Sequence, residues 1–184
     1  FLVLHALRIK GFSGAGTLSE LTTLPLERVQ AILRAAAEAE LVRQLEARDL
    51  WQLVDAGRER YAEQLLDIAA ACDGDLRPHY SEFLELNLRL KELCTTWQTR
   101  DGDINDHSDA DYDALQIAAL DEFNRSVAEV LEGLAGAVPR FAAYRHRLNA
   151  ATARVLAGET KMFTGVMCGS FHDIWMELHE DLVQ

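Results

Sequence analysis

Proline is scarce in this sequence, with three in 184 residues, and glycine stands at eleven. Collagen-like chains, proline-rich spacers and low-complexity linkers need far more of one or the other. Cysteine is as rare as proline. Cys72, Cys94 and Cys168 are odd in number, widely separated and form no CxxC pair, so neither a disulfide framework nor a zinc cluster is indicated. They read as reduced thiols of a cytoplasmic protein. No apolar run approaches the roughly 18 to 20 residues that cross a bilayer, and no basic stretch leads into a short apolar one, so membrane insertion and secretion are not expected. Catalytic signatures are missing as well: no glycine-rich phosphate loop follows a strand pattern, no GxSxG elbow occurs, and no cysteine stands in a nucleophile context. Neither an enzyme nor a bound cofactor is expected.

What the sequence does hold is 49% apolar and 26% charged residues, enough for one large domain or two small ones with real cores. Its formal charge of −12 is unevenly divided. Up to Leu66 there are 8 basic and 9 acidic residues, a balance of −1, and beyond it 10 and 21, a balance of −11. Between the two parts, Asp73-Gly74-Asp75-Leu76-Arg77-Pro78 carries the turn formers of a hinge. A boundary near 72 to 80 follows, with domains at 1-72 and 80-184. The sequence opens at Phe1, without methionine and already inside an apolar helical pattern, which points to further residues upstream.

Leu2, Leu4 and Leu7 open a first helix that stops at Gly11, with Gly14-Ala15-Gly16 as a loop. Thr17-Leu18-Ser19-Glu20 has the capping-box spacing, predicting a short second helix to about Leu24. Pro25 restarts the chain. Val29, Ile32, Leu33 and Ala36 then recur at helical spacing to about Glu40, leaving Glu27, Arg28, Ala31, Arg34, Ala35 and Glu38 on the outer face. Leu41–Glu46 and Leu50–Val54 alternate on both sides of the polar Ala47-Arg48-Asp49, the pattern of a two-stranded hairpin. Asp55 is positioned to cap a further helix.

This order resembles the winged helix-turn-helix of MarR-like and PadR-like transcriptional regulators over about residues 1 to 66. The words that carry the likeness are Glu40-Leu41-Val42-Arg43, similar to "GLVR", and Leu53-Val54-Asp55-Ala56-Gly57-Arg58, similar to "LTxxGR". Glu40 stands where the family favours a helix-ending glycine, and Val54 where it favours a capping threonine. The resemblance implies double-stranded DNA as partner, with Arg28 and Arg34 of the helix at 26-40 and Arg43, Arg48 and the rim of Trp51 of the wing at 41-54 as contacts. Against it stand Glu27, Glu38 and Glu40 on or beside the same surface and a domain without basic surplus. A winged helix used as a protein-interaction module is the alternative.

The acidic part is patterned in heptads. Ser81 is placed to cap a helix with Phe83, Leu86, Leu90, Leu93 and Trp97 in steps of three and four. Leu120, Phe123, Val127, Val130 and Leu134 repeat the pattern, as do Phe141, Tyr144, Leu148, Ala151 and Val155, and, after Ser170 as a cap, Phe171, Ile174, Leu178 and Leu182. A helical bundle, or long helices pairing with a second subunit, follows. The overall class is therefore mostly α.

The acidic stretch Asp101–Asp113 has oxygen ligands at alternate positions, but an EF-hand needs glycine sixth and glutamate twelfth. From Asp101 those places hold Asp106 and Tyr112, and from Asp109 they hold Ala114 and Leu120. A solvated loop whose Asp109 or Asp111 caps the next helix is expected, with a metal or effector contact at Asp106 and His107 as the lesser reading. His172 and His179 are seven apart, not the four of zinc-binding helices, and a metal site would have to be completed from elsewhere, for example by His146; a surface or interface pair is expected instead. Together these readings describe a cytoplasmic, dimeric DNA-binding regulator whose helical domain holds two copies. A small-molecule effector among Trp97, Tyr144 and Trp175 would shift its affinity.

Overall fold

The computed structural model describes residues 1–71 and 76–184, without the side chains of 69–71. Cys72 and the Asp73-Gly74-Asp75 part of the expected hinge lie outside the described residues. The chain is mostly helical with a small three-stranded antiparallel sheet, and it divides into two compact units, Phe1–Asp73 and Gly74–Gln184.

In the first unit α1 (Leu2–Lys10) ends at Gly11, whose φ of +74° suits a residue without Cβ. Then follow β1 (Phe12–Ser13), α2 (Ala15–Thr22), α3 (Leu26–Glu38), β2 (Val42–Leu45), β3 (Leu50–Leu53) and α4 (Asp55–Ala71). The sheet runs β1-β3-β2, with Val42 opposite Leu53 and Ser13 opposite Trp51. Leu4, Leu7, Leu18, Val29, Leu33, Val42, Leu53 and Tyr61 make one core.

Three local expectations are corrected. Ala15 and Gly16 belong to α2, not to a loop, because extended Gly14 takes the N-cap place and its carbonyl accepts from the Leu18 amide at 3.1 Å. The Thr17–Glu20 capping box therefore does not form. Burial of Leu18 fixes where this helix must run, and the Ser19 hydroxyl instead donates to the Leu24 carbonyl at 2.6 Å. Asp55 is likewise inside α4: the Arg58 amide donates to the Val54 carbonyl, so Val54 holds the cap position and Asp55 pairs with Arg58 at 2.7 Å.

Helix α3 closes in a Schellman motif, with the Leu41 amide donating to Ala36 and the Glu40 amide to Ala37. Glu40 pays for it with a φ of +58°, a conformation that disfavours any residue bearing Cβ. Replacing Glu40 with glycine is expected to raise the stability of this unit by about 0.5–1 kcal/mol, after the added chain entropy of glycine is subtracted. Urea unfolding checks it, and a destabilised variant would mean that the Glu40 side chain supplies more than the strain costs.

The second unit holds α5 (Arg77–Gln98), a hairpin of β4 (Thr99–Arg100) and β5 (Asp103–Ile104), α6 (Ala110–Ser126), α7 (Ala128–Ala137), α8 (Ala142–Leu156), the short α9 (Lys161–Thr164) and α10 (Phe171–Leu182). Helix α5 starts four residues before Ser81, with Pro78 in its first turn; Ser81 caps nothing and donates back to the Arg77 carbonyl. The stripe from Leu120 to Leu134 is split between α6 and α7 at Val127, whose ψ of −1° breaks the helix. The heptad residues nonetheless point inward: apart from half-buried Leu93 and Leu182, every one of them is buried. Helices α5, α6, α7, α8 and α10 bury these stripes against one another, so a bundle within one chain satisfies them without a second subunit.

The solvated loop expected within Asp101–Asp113 begins as a tight hairpin. Asp101 and Gly102 both have positive φ, as a two-residue turn matching strand twist requires. Asp109 then caps α6, accepting from the Asp111 and Tyr112 amides, and Ser170 caps α10.

Candidate nucleic-acid interface

Helix α3 is anchored by Val29, Leu33 and Ala36, all buried, and exposes Glu27, Arg28, Gln30, Ala31, Arg34, Ala35 and Glu38. At about 100° per residue, Glu27, Ala31, Arg34 and Glu38 fall within about 60° of one another, along the middle of the exposed arc. Arg28 lies at one margin of that arc and Gln30 at the other, so Arg28 and Arg34 are about 120° apart around the axis. The sequence placed both arginines on one face; the helical wheel assigns one to its centre and one to its edge. Gln30 was missed, although the same angular count finds it.

Beside α3 the β2–β3 hairpin turns through a 3-10 segment, Glu46–Arg48, and Asp49, whose φ is +50°. Gln44 donates to the Asp49 carboxylate at 2.8 Å, bracing the turn. Arg48 is exposed within this turn. Arg43 is opposite Gln52 in the sheet, and with that amide oriented oxygen-first the guanidinium donates to it. Trp51 is half-buried between Ser13 and Gln44.

All four arginines are exposed, and among the described residues none pairs with a carboxylate. From Leu26 to Leu50, however, these four cations meet five carboxylates, Glu27, Glu38, Glu40, Glu46 and Asp49. The surface carries exposed cations without a net positive charge.

In the second unit the structure does not bring Trp97, Tyr144 and Trp175 together. Trp97 stacks on Phe163 at 4.7 Å and meets the tilted ring of His107 at 4.4 Å. Trp175 packs among Phe83, Phe123 and Phe171 and donates its indole N–H to Asn87 Oδ1 at 3.0 Å. Tyr144 donates to Asp181 at 3.0 Å, within a buried set in which Arg140 pairs with Asp181 and Arg147 with Glu177. Burial, and secondarily the Asp181 charge, holds the Tyr144 phenol well above its usual range. Among the described residues no ring contact joins two of the three. Each is buried and packed against different neighbours.

His107 is fixed rather than free. Its Nδ1 lies 2.9 Å from Asp113 Oδ2, and buried Asn105 donates to Asp113 and to the Trp97 carbonyl. Asp106 accepts from Ser108, and this bond holds its carboxyl below the usual range. Among the described residues no cluster of three metal-ligating side chains exists around His107, His146, His172 or His179. Cys94 is buried, and desolvation pushes its thiol up to about 11, well away from nucleophilic use.

No protein-family model, curated protein or solved structure matches the chain.

Proposed function

We propose that this chain is a winged-helix transcriptional regulator that binds double-stranded DNA through α3 and the β2–β3 wing. The observation that carries the reading is the outward face of α3, anchored by buried Val29 and Leu33 and flanked by a braced hairpin, with Arg28, Arg34, Arg43 and Arg48 exposed and, among the described residues, bound to no carboxylate. The order of helix, strand, two helices and a hairpin leading into α4 supports it. So does Gly57, the glycine of the family-like word, whose place against the Leu41 carbonyl admits no side chain.

A helix laid in the major groove turns the middle of its exposed arc to the bases and its margins to the phosphates. Arg34 is thereby a base-reading residue and Arg28 a phosphate contact. Arg28→Ala is expected to weaken binding uniformly across sequences and lower the salt slope by about 1, and Arg34→Ala to relax preference at one base pair at a cost of about 1–3 kcal/mol. Titration of a random duplex pool at several salt concentrations reads both, and identical behaviour of the two variants would remove the assignment. A twin copy, placing two α3 helices about 34–36 Å apart, belongs to the reading, as does an intracellular location; light scattering giving a strict monomer would remove the two-site arrangement.

The near-zero charge of the α3 and wing surface favours a second reading, a protein-interaction module. Unchanged duplex mobility at low salt across the whole pool would establish that alternative over the first.

A further inference from the structure

An acidic side chain in the centre of a DNA-reading face needs a physical account, because near phosphate it is repulsive. Glu27 is exposed in the first turn of α3, without a partner among the described residues, and shares the central stripe with Ala31 and Arg34. We infer that Glu27 is a specificity-determining residue, accepting a hydrogen bond from the exocyclic amine of a cytosine in the major groove. The inference rests on the DNA-binding reading above.

The chemistry selects the base. A carboxylate has acceptors only. Guanine offers N7 and O6 and thymine offers O4, all acceptors that repel it, and adenine places the N7 acceptor beside its amine. Cytosine alone shows an amine with no acceptor on its own major-groove edge. Position along the helix favours Glu27 over Glu38, since the N-terminal residues of a recognition helix lie nearest the base edges. Ala31, between Glu27 and Arg34, lets the backbone come close. Seven residues separate Glu27 from Arg34, about 10 Å along the axis, or about three base steps. The expected half-site therefore holds a cytosine about three steps from a guanine read by Arg34.

The test is oligonucleotide selection from random duplexes by the full chain and by its Glu27→Gln and Glu27→Ala variants, with helix content checked by circular dichroism. Wild type is expected to select cytosine at one position, with about tenfold or greater loss on substitution. Glu27→Gln, whose amide pairs with adenine N6 and N7, is expected to shift that position to adenine, and Glu27→Ala to lose preference there. If both variants select the wild-type motif, Glu27 has no reading role and the DNA-binding proposal stands. If the wild type binds no duplex, the parent reading fails and this inference with it.

Discussion

Gly57→Ala is expected to destabilise the first unit by about 3 kcal/mol, more than any surface substitution in it. A Cβ built at Gly57 falls 1.9 Å from the Leu41 carbonyl oxygen and 2.9 Å from its carbon. That oxygen already accepts from the Val54 amide at 3.1 Å, so it cannot retreat without breaking the bond that joins the start of β2 to the end of β3. The obstacle is backbone, not a flexible side-chain tip. Relief requires moving α4 away from the hairpin and opening the contact with Leu53, which is buried. Urea unfolding followed by circular dichroism measures the cost, and a loss under about 1 kcal/mol would show that the junction gives way easily. The same substitution is expected to weaken duplex binding if the wing reads DNA, because it displaces the strand that carries Arg43.

The second large effect concerns Trp175. Its side chain is 1% exposed and in ring contact with Phe83 at 4.8 Å, Phe123 at 5.4 Å and Phe171 at 6.4 Å. Trp175→Ala is expected to cost about 4 kcal/mol, from lost burial and from the cavity among three aromatic rings. Trp175→Phe keeps most of the stacking but leaves the buried Asn87 Oδ1 without the indole N–H it accepts from, and is expected to cost about 1–3 kcal/mol. The ordering of the two variants in thermal or urea unfolding is the check. Equal losses would mean that the hydrogen bond, not packing, dominates at this position.

Much of the architecture was legible residue by residue. The outer face of α3, the hairpin around Ala47–Asp49, the inward stripes of the second unit and the Ser170 cap all follow from spacing alone. The misses have separate causes. Strand β1 is two residues long and exists because β3 offers it a partner; Phe12 and Ser13 carry no alternation to announce it. The break at Val127 lies inside an unbroken 3,4 stripe, so the pattern that locates the core is blind to the kink that redirects it. Ser81 and Thr17 have capping chemistry but sit inside helices whose starts are set by Pro78 and by the burial of Leu18. The Asp101-Gly102 turn was readable, since that dipeptide is a strong hairpin signal, yet the acidic run around it drew the reading toward a loop.

For the candidate interface, the sequence supplied the four arginines and the carboxylates that oppose them, and a residue's identity and its period around a helix are fixed before any folding. Tertiary structure alone decided which neighbours Trp97, Tyr144 and Trp175 pack against, since heptad phase says which side of a helix faces inward but not which partner helix receives it. It also decided why position 57 must be glycine: the proximity of the Leu41 carbonyl is a contact sixteen residues away, and only the folded chain brings it within reach of an absent Cβ.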